Sequence, residues 1–171
     1  QASYNFTDYY LEAHQDIGEL SSEQNIIEYQ KGFYRAFSRM HQKTFRHDAM
    51  DANDILNSID ETHRLFLFVS EGLLKGYLYL DVNKQQASAE IKYFSSHIDY
   101  RMKGIAFDLL EYALNYAFTH FDLRKVYFKI RNKNSKLVER FNELGFKTNY
   151  EYKKYKLEPQ HIHETVNTND N

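Results

Sequence analysis

Residues 99–110 read DYRMKGIAFDLL, in which Arg101, Met102, Lys103, Gly104, Ile105 and Ala106 form a basic, small-residue turn ahead of a run with helical apolar spacing. The N–H groups of a helix's first turn lack intrahelical acceptors and carry the positive end of the helix dipole, so they favour phosphate. Gly104 and Ala106 let a backbone close around a pyrophosphate, while Arg101 and Lys103 add charge. The turn reads as an anion cradle, although a strand-to-helix turn also carries glycine simply for its φ angle. Glu90, in SAEIKYFSS, precedes Arg101 by 11 positions (101 minus 90). Strand alternation puts Glu90, Lys92 and Phe94 on one face and Ile91, Tyr93 and Ser95 on the other. Glu90 also reads as an ordinary solvent-facing carboxylate, paired with Lys92 or Lys129.

The elements that must position these groups follow from periodicity. SSEQNIIEYQKGFYRAFSRM opens with a capping-box pattern, Ser21 with Gln24, and places Ile26, Phe33, Phe37 and Met40 near one face, which predicts a helix over about 22–41. A shorter helix follows from Asp51 or Asn53 to Ile59. Apolar, β-prone runs at 64–70, 75–82 and 87–96, separated by Glu71-Gly72 and by NKQQ, predict an antiparallel meander of three strands. Helical spacing then runs from Ile105 to about 120, KVYFKIR (125–131) is a strand, residues 134–145 a short helix with Gly145 at its C-cap, and YEYKKYKL (150–157) a last strand. Strand, helix, strand implies a right-handed βαβ crossover. The expected class is therefore α/β with a mixed sheet, a meander followed by a βαβ unit, behind a helical N-terminal third.

Composition narrows the field. A chain of 171 residues with 42% hydrophobic residues fits one domain with a substantial core, taken here as residues 1–159 followed by a polar tail over 160–171. His161 and His163 in that tail read as polar surface rather than metal ligands. The absence of cysteine rules out disulfides, thiolate nucleophiles and cysteine zinc sites, and fits a reducing cytosol. No run approaches the roughly 20 apolar residues of a membrane span, and no signal peptide is evident, so a cytoplasmic protein without a membrane partner is expected. Residues 1–30 hold six acids and no Lys or Arg, whereas residues 124–156 hold eleven basic residues and three acids, a local +8. The aromatics within that basic stretch follow strand alternation, so a nucleic-acid partner is not expected.

The turn Arg101-Met-Lys-Gly104-Ile-Ala106 resembles the acyl-CoA-binding signature Q/R-x-x-G-x-G/A of the GNAT N-acetyltransferase superfamily. A second family element, an Asn followed by a helix ending in L-G-F, is present as Asn134-SKLVERFNEL-Gly145-Phe146. The resemblance covers about residues 60–157. It implies a CoA-binding core over about 64–157 and a substrate-side helical segment over about 20–60. The N-terminus departs from the pattern, since relatives open with a strand and YNFTDYYLEAH matches one poorly. The sheet is therefore expected to have seven strands, or six without the first. Some relatives are tandem proteins, which leaves open that a chain beginning with Gln is the second half of one.

The implied activity is transfer of an acetyl group from acetyl-CoA to a primary amine. A lysine-like amine, pKa about 10.4, must lose a proton before it attacks. Histone-acetylating relatives are similar to Ala89-Glu90-Ile91 at the same spacing, which implies Glu90 as the base. The resemblance further implies that backbone groups of Phe94, Ser95 and Ser96 hold the oxyanion and the pantetheine arm, that residues 101–106 hold the pyrophosphate, and that Asn134 reaches the arm; the last also reads as a plain N-cap. No metal is implied. Where relatives often keep a tyrosine acid, this chain has Phe141, leaving Tyr127, Tyr150 or Tyr152 as substitutes or the role vacant. The acceptor is a small-molecule or peptide amine, cationic if the acidic N-terminal third lines its cleft, and a homodimer fits the same reading. The rival is a non-catalytic acyl-CoA-binding or regulatory module.

Overall fold

Residues 63–83 read as two nearly continuous apolar runs because both faces of these strands are covered. In the computed structural model, which describes residues 3–14, 25–45, 50–96, 104–131, 135–143 and 145–157, they form β3 (His63–Ser70) and β4 (Leu73–Asn83). Glu71 and Gly72 join them with φ of 56° and 75°, the two left-handed positions that a tight hairpin turn requires. Around them lie β2 (Ile26–Glu28), β5 (Ser88–Ser96) and β6 (Lys125–Arg131). The order is β2-β3-β4-β5-β6, antiparallel except for the parallel step from β5 to β6. The helix between those last two strands is α3 (Ile105–His120), as a βαβ unit requires.

The two sides of this sheet differ. On one side, α1 (Tyr34–Thr44) and α2 (Ala52–Ser58) lay Phe37, Met40 and Ile55 against Leu65, Leu67, Leu74, Tyr77 and Tyr79. Asp51 caps α2 reciprocally with Asp54: each carboxylate accepts from the other's backbone N–H, at 2.8 and 3.0 Å. On the other side lies α3, whose Tyr112 and Tyr116 meet Phe66 edge-on at 5.1 and 5.0 Å. We refer to the first as the α1 face and the second as the α3 face.

The chain divides into two compact units, Ala13–Phe128, which holds the elements just described except the last residues of β6, and Gln1–Glu12 with Lys129–Asn171. In the second unit β1 (Ser3–Ala13) pairs antiparallel with β7 (Lys147–Leu157), and α4 (Ser135–Glu143) packs beside β7. The mixed α/β class expected from sequence is thus present, with seven strands among the described residues.

Two expectations are corrected. Residues 22–41 are not one helix: Ile26–Glu28 form an edge strand on Phe66–Phe68, a short 3-10 turn spans Lys31–Phe33, and only Tyr34–Thr44 is α-helical. The β-branched pair Ile26-Ile27 gains a neighbour in β3, and Gly32 weakens the helix between. The Ser21–Gln24 capping pattern falls outside the described residues. The N-terminal segment is a strand after all, because residues 147–157 supply a distant partner over almost its whole length.

Candidate active site

Gly104 is the N-cap of α3, with φ 79°, and it offers no side chain to cap the helix. The first backbone bond within α3 runs from the Asp108 N–H to the Gly104 carbonyl, so the first-turn N–H groups have no acceptor from a preceding helical turn. Ile105 and Ala106 are buried. A Cβ built on Gly104 meets nothing within 4 Å, whereas one on Gly76 of β4 lies 3.1 Å from Ile105 Cγ2, Leu109 Cδ1 and the Ser95 carbonyl oxygen. The start of α3 therefore sits at the C-terminal end of β5, the place where open α/β sheets take ligands. Arg101, Met102, Lys103 and Asn134 lie outside the described residues, as do His97 and the tail histidines. Because Gly104 is left-handed but uncrowded, Gly104→Ala should cost about 1–2 kcal/mol and Gly104→Asn distinctly less, a difference read by urea unfolding.

The face assignment around Glu90 is corrected by a bulge. Asp81 pairs with Glu90 and Leu80 with Ile91, but Tyr79 pairs with Tyr93, which leaves Lys92 as the extra residue of β5. Alternation shifts there, so Glu90 shares the α1 face with Tyr93 and Ser95, and Phe94 crosses to the α3 face opposite Leu78. Phe94 meets Phe128 edge-on at 6.3 Å. Tyr93 instead meets His41 and Phe45 of the α1 side at 4.9 and 5.0 Å. The Ser95 hydroxyl lies 2.8 Å from that of Thr44, which itself donates to the Met40 carbonyl, so Ser95 is the donor of the pair. Ser96 closes the strand opposite Gly76. The parallel ladder pairs Ser88–Glu90 with Lys125–Tyr127 and goes no further among the described residues. On its other side β5 pairs Phe94, Ser95 and Ser96 with Leu78, Tyr77 and Gly76 of β4.

Glu90 stands directly across from Asp81 on one side and Tyr127 on the other. Asp81 is the hub of a network that sequence reasoning missed. Its Oδ2 takes the Lys92 ammonium at 3.3 Å, and its Oδ1 lies 3.2 Å from His63 Nε2. His63 Nδ1 is 2.8 Å from Asp60, and this hydrogen bond is the main cause that lowers the Asp60 pKa. Burial works against the Lys92 charge, but the hydrogen bond and charge of Asp81, helped by Glu90 and Tyr79, outweigh it and raise its pKa. Burial likewise raises the Tyr79 phenol, which donates to Ser58 at 2.6 Å because the Ser58 hydroxyl itself donates to the Ile55 carbonyl. The available signal was an aspartate inside the apolar run LYLDV; its partner required a strand register.

Nearby, the His41 ring is buried with Nε2 3.0 Å from the Met50 carbonyl and Nδ1 2.6 Å from the Tyr77 hydroxyl. A carbonyl only accepts, so Nε2 carries a proton toward Met50, while Nδ1 shares a hydrogen bond with the Tyr77 hydroxyl. This bond joins α1 to β4 below the Glu90 face.

Phe141 has a structural task. The Phe146 N–H bonds the Phe141 carbonyl and the Gly145 N–H bonds that of Asn142, both at 3.1 Å, with Gly145 at φ 101°. This is a Schellman C-cap, and its accompanying apolar contact is Phe141 on Phe146, ring centroids 4.9 Å apart. Phe141 is fully buried. Phe141→Tyr should therefore lower stability by about 1–3 kcal/mol through a poorly partnered hydroxyl, seen as a lower urea midpoint. Of the substitutes, Tyr127 has the Lys125 ammonium 5.4 Å over its ring, while Tyr150 and Tyr152 lie in β7 opposite Tyr10 and Asp8. No described group of His, Asp or Glu residues is arranged to hold a metal, and no described helix is long and apolar enough to cross a membrane.

A sequence model of the acetyltransferase (GNAT) family matches residues 28–146. No curated protein matches the chain. Among solved structures, a GNAT-family protein from Novosphingobium aromaticivorans superposes with a TM-score of 0.69 at 12% identity, over 88% of this chain and 63% of that one. A GCN5-related N-acetyltransferase from Sphaerobacter thermophilus gives 0.67 at 14% identity, over 90% and 52%. The ribosomal-protein-S18-alanine N-acetyltransferase from Escherichia coli gives 0.58 at 17%, over 71% and 76%. The chain thus spans between half and two thirds of the first two relatives. At these identities the likeness is one of fold.

Proposed function

Starting from the chain's membership of the acetyltransferase (GNAT) family, whose model covers residues 28–146, we propose that it transfers an acetyl group from acetyl-CoA to a primary amine. One observation carries this reading: β5 presents Glu90 on the α1 face near one end, and at its other end, across Gly76, lies the start of α3, whose N-cap Gly104 offers no side chain. Acetyl-CoA, when bound, supplies the activated thioester carbonyl. Gly104, Ile105 and Ala106 would hold its pyrophosphate, since first-turn N–H groups carry partial positive charge and the space beside Gly104 is open. Glu90 takes the proton of the attacking amine, and backbone N–H groups near Phe94–Ser96 stabilise charge on the carbonyl oxygen.

The leaving thiolate, with a thiol pKa of about 8.5, departs without a strong acid. This suits a chain whose Phe141 is committed to a helix cap. Were the acidic N-terminal third to line the acceptor cleft, it would favour a cationic acceptor. The rival reading, a binding module without catalysis, shares the lack of an acid at Phe141. The test is release of free thiol from acetyl-CoA with a panel of polyamines, aminoglycosides and lysine peptides. Turnover with at least one amine is expected; tight acetyl-CoA binding with no turnover on any of them would favour the module instead.

A further inference from the structure

A lysine two residues from a catalytic base, on the same face, is a hazard to it. The Lys92 ammonium feels the Glu90 charge, and a full ion pair between them would stabilise the carboxylate and strip it of basicity. The structure shows where that ammonium goes instead: to Asp81 Oδ2, 3.3 Å away, on the neighbouring strand. Asp81 is itself held from the other side, because its Oδ1 faces His63 Nε2 at 3.2 Å and the far nitrogen of that ring is 2.8 Å from Asp60. Both oxygens of Asp81 are thus engaged and its orientation is fixed. Directly opposite in the antiparallel register stands Glu90, and side chains so placed are about 4.5–5.5 Å apart at Cβ, close enough for like charges to repel.

We propose that Asp81 is a positioning residue for Glu90: it draws the Lys92 ammonium onto its own carboxylate and, as a like charge directly across the strand pair, keeps Glu90 basic. The inference rests on the reading of Glu90 as the base. Among the described residues, the groups facing this point include Asp81 and Tyr79 from β4, Lys92 from β5 itself, Tyr127 with Lys125 over its ring from β6, and His63 from β3, with Asp60 in the turn before it. Lys92 and Asp81 are joined to each other, Lys92 feels the Glu90 charge, and Asp81 stands directly across from it. Their substitutions should consequently move it in opposite directions. In Asp81→Asn the repulsion disappears and Lys92 is released toward Glu90, so Glu90 becomes a weaker base. In Lys92→Gln the attraction of that ammonium is removed, and Glu90 becomes a stronger one.

The experiment is a carbon-NMR titration of the whole chain labelled at glutamate carboxyls, with the Glu90 signal identified by its absence in Glu90→Gln. The midpoint of Glu90 is expected to fall by about one pH unit in Asp81→Asn and to rise in Lys92→Gln. An unchanged or raised midpoint in a folded Asp81→Asn overturns the proposal. Should that variant fail to fold, the exposed Lys92→Gln decides alone, and an unmoved midpoint there overturns it equally. A merely structural role for Asp81 would lower stability without moving the titration of Glu90. A parallel arm follows acetyl-CoA turnover against pH, where the acid limb should shift to lower pH in Asp81→Asn with its midpoint following the NMR value. If Glu90→Gln retains full turnover, the base reading fails by itself, while the titration still reports whether Asp81 governs Glu90.

Discussion

Glu90→Gln should lower acetyl-CoA turnover by roughly 10²–10⁴-fold while leaving acetyl-CoA affinity nearly unchanged. The amide keeps the shape of the carboxylate and removes its ability to take a proton. Glu90 is half-buried, and its neighbours across the sheet are Asp81 and Tyr127. Losing its charge removes one repulsion with Asp81 and one attraction with Lys92, so the net effect on stability should be small. The start of α3 belongs to the other end of β5, beyond the bulge at Lys92, and is untouched by the change. Wild-type turnover should rise with pH as Glu90 loses its proton, and that limb should vanish in the variant. A strand carboxylate with no chemical role predicts the reverse pattern: an unchanged rate and an unchanged pH profile. Stopped-time thiol release at several pH values, with isothermal calorimetry for acetyl-CoA, separates the two.

The parts of the molecule legible in sequence are those whose signals are local. Glu71-Gly72 marks a two-residue hairpin because the turn needs left-handed φ at both positions, and Asp51 marks the start of α2 because its cap partner, Asp54, lies three residues on. The start of α3 at Gly104 was readable for the same reason. What failed depended on partners far away in the chain. Residues 3–13 become a strand because residues 147–157 lie beside them, and Ile26–Glu28 because Phe66–Phe68 do. The orientation of β5 failed for a subtler reason: strict alternation holds only until a bulge, and nothing in IKYF announces one. Lys92 is extruded because Tyr79 pairs with Tyr93, a match that puts aromatic on aromatic, 6.2 Å apart and nearly parallel, and lets Ser95 reach Thr44. The same register sets Asp81 opposite Glu90. Glu90 thus stood out in the sequence as a candidate base from its motif, but the groups that surround it did not.

Gly76→Val should be the most damaging small substitution in the sheet. Gly76 is not left-handed, so its glycine is not explained by φ; it is explained by closeness. A first carbon there already lies 3.1 Å from Ile105 Cγ2, Leu109 Cδ1 and the Ser95 carbonyl oxygen. The two side-chain atoms could turn aside, but the carbonyl belongs to the β5 backbone, and two further methyls leave α3 no option but to lift. Overpacking of this kind costs about 2–3 kcal/mol, which for a chain of this size lowers Tm by roughly 5–10 °C. Gly32 provides the control, since a Cβ there meets nothing within 4 Å and its φ is ordinary; Gly32→Ala should stay within about 0.5 kcal/mol of the parent. The functional consequence is separate from the stability loss. Lifting the first turn of α3 moves its N–H groups away from the end of β5, so acetyl-CoA affinity measured well below the variant's Tm should fall by more than tenfold. A folded Gly76→Val that binds acetyl-CoA as the parent does would show that the pyrophosphate is not held at the start of α3.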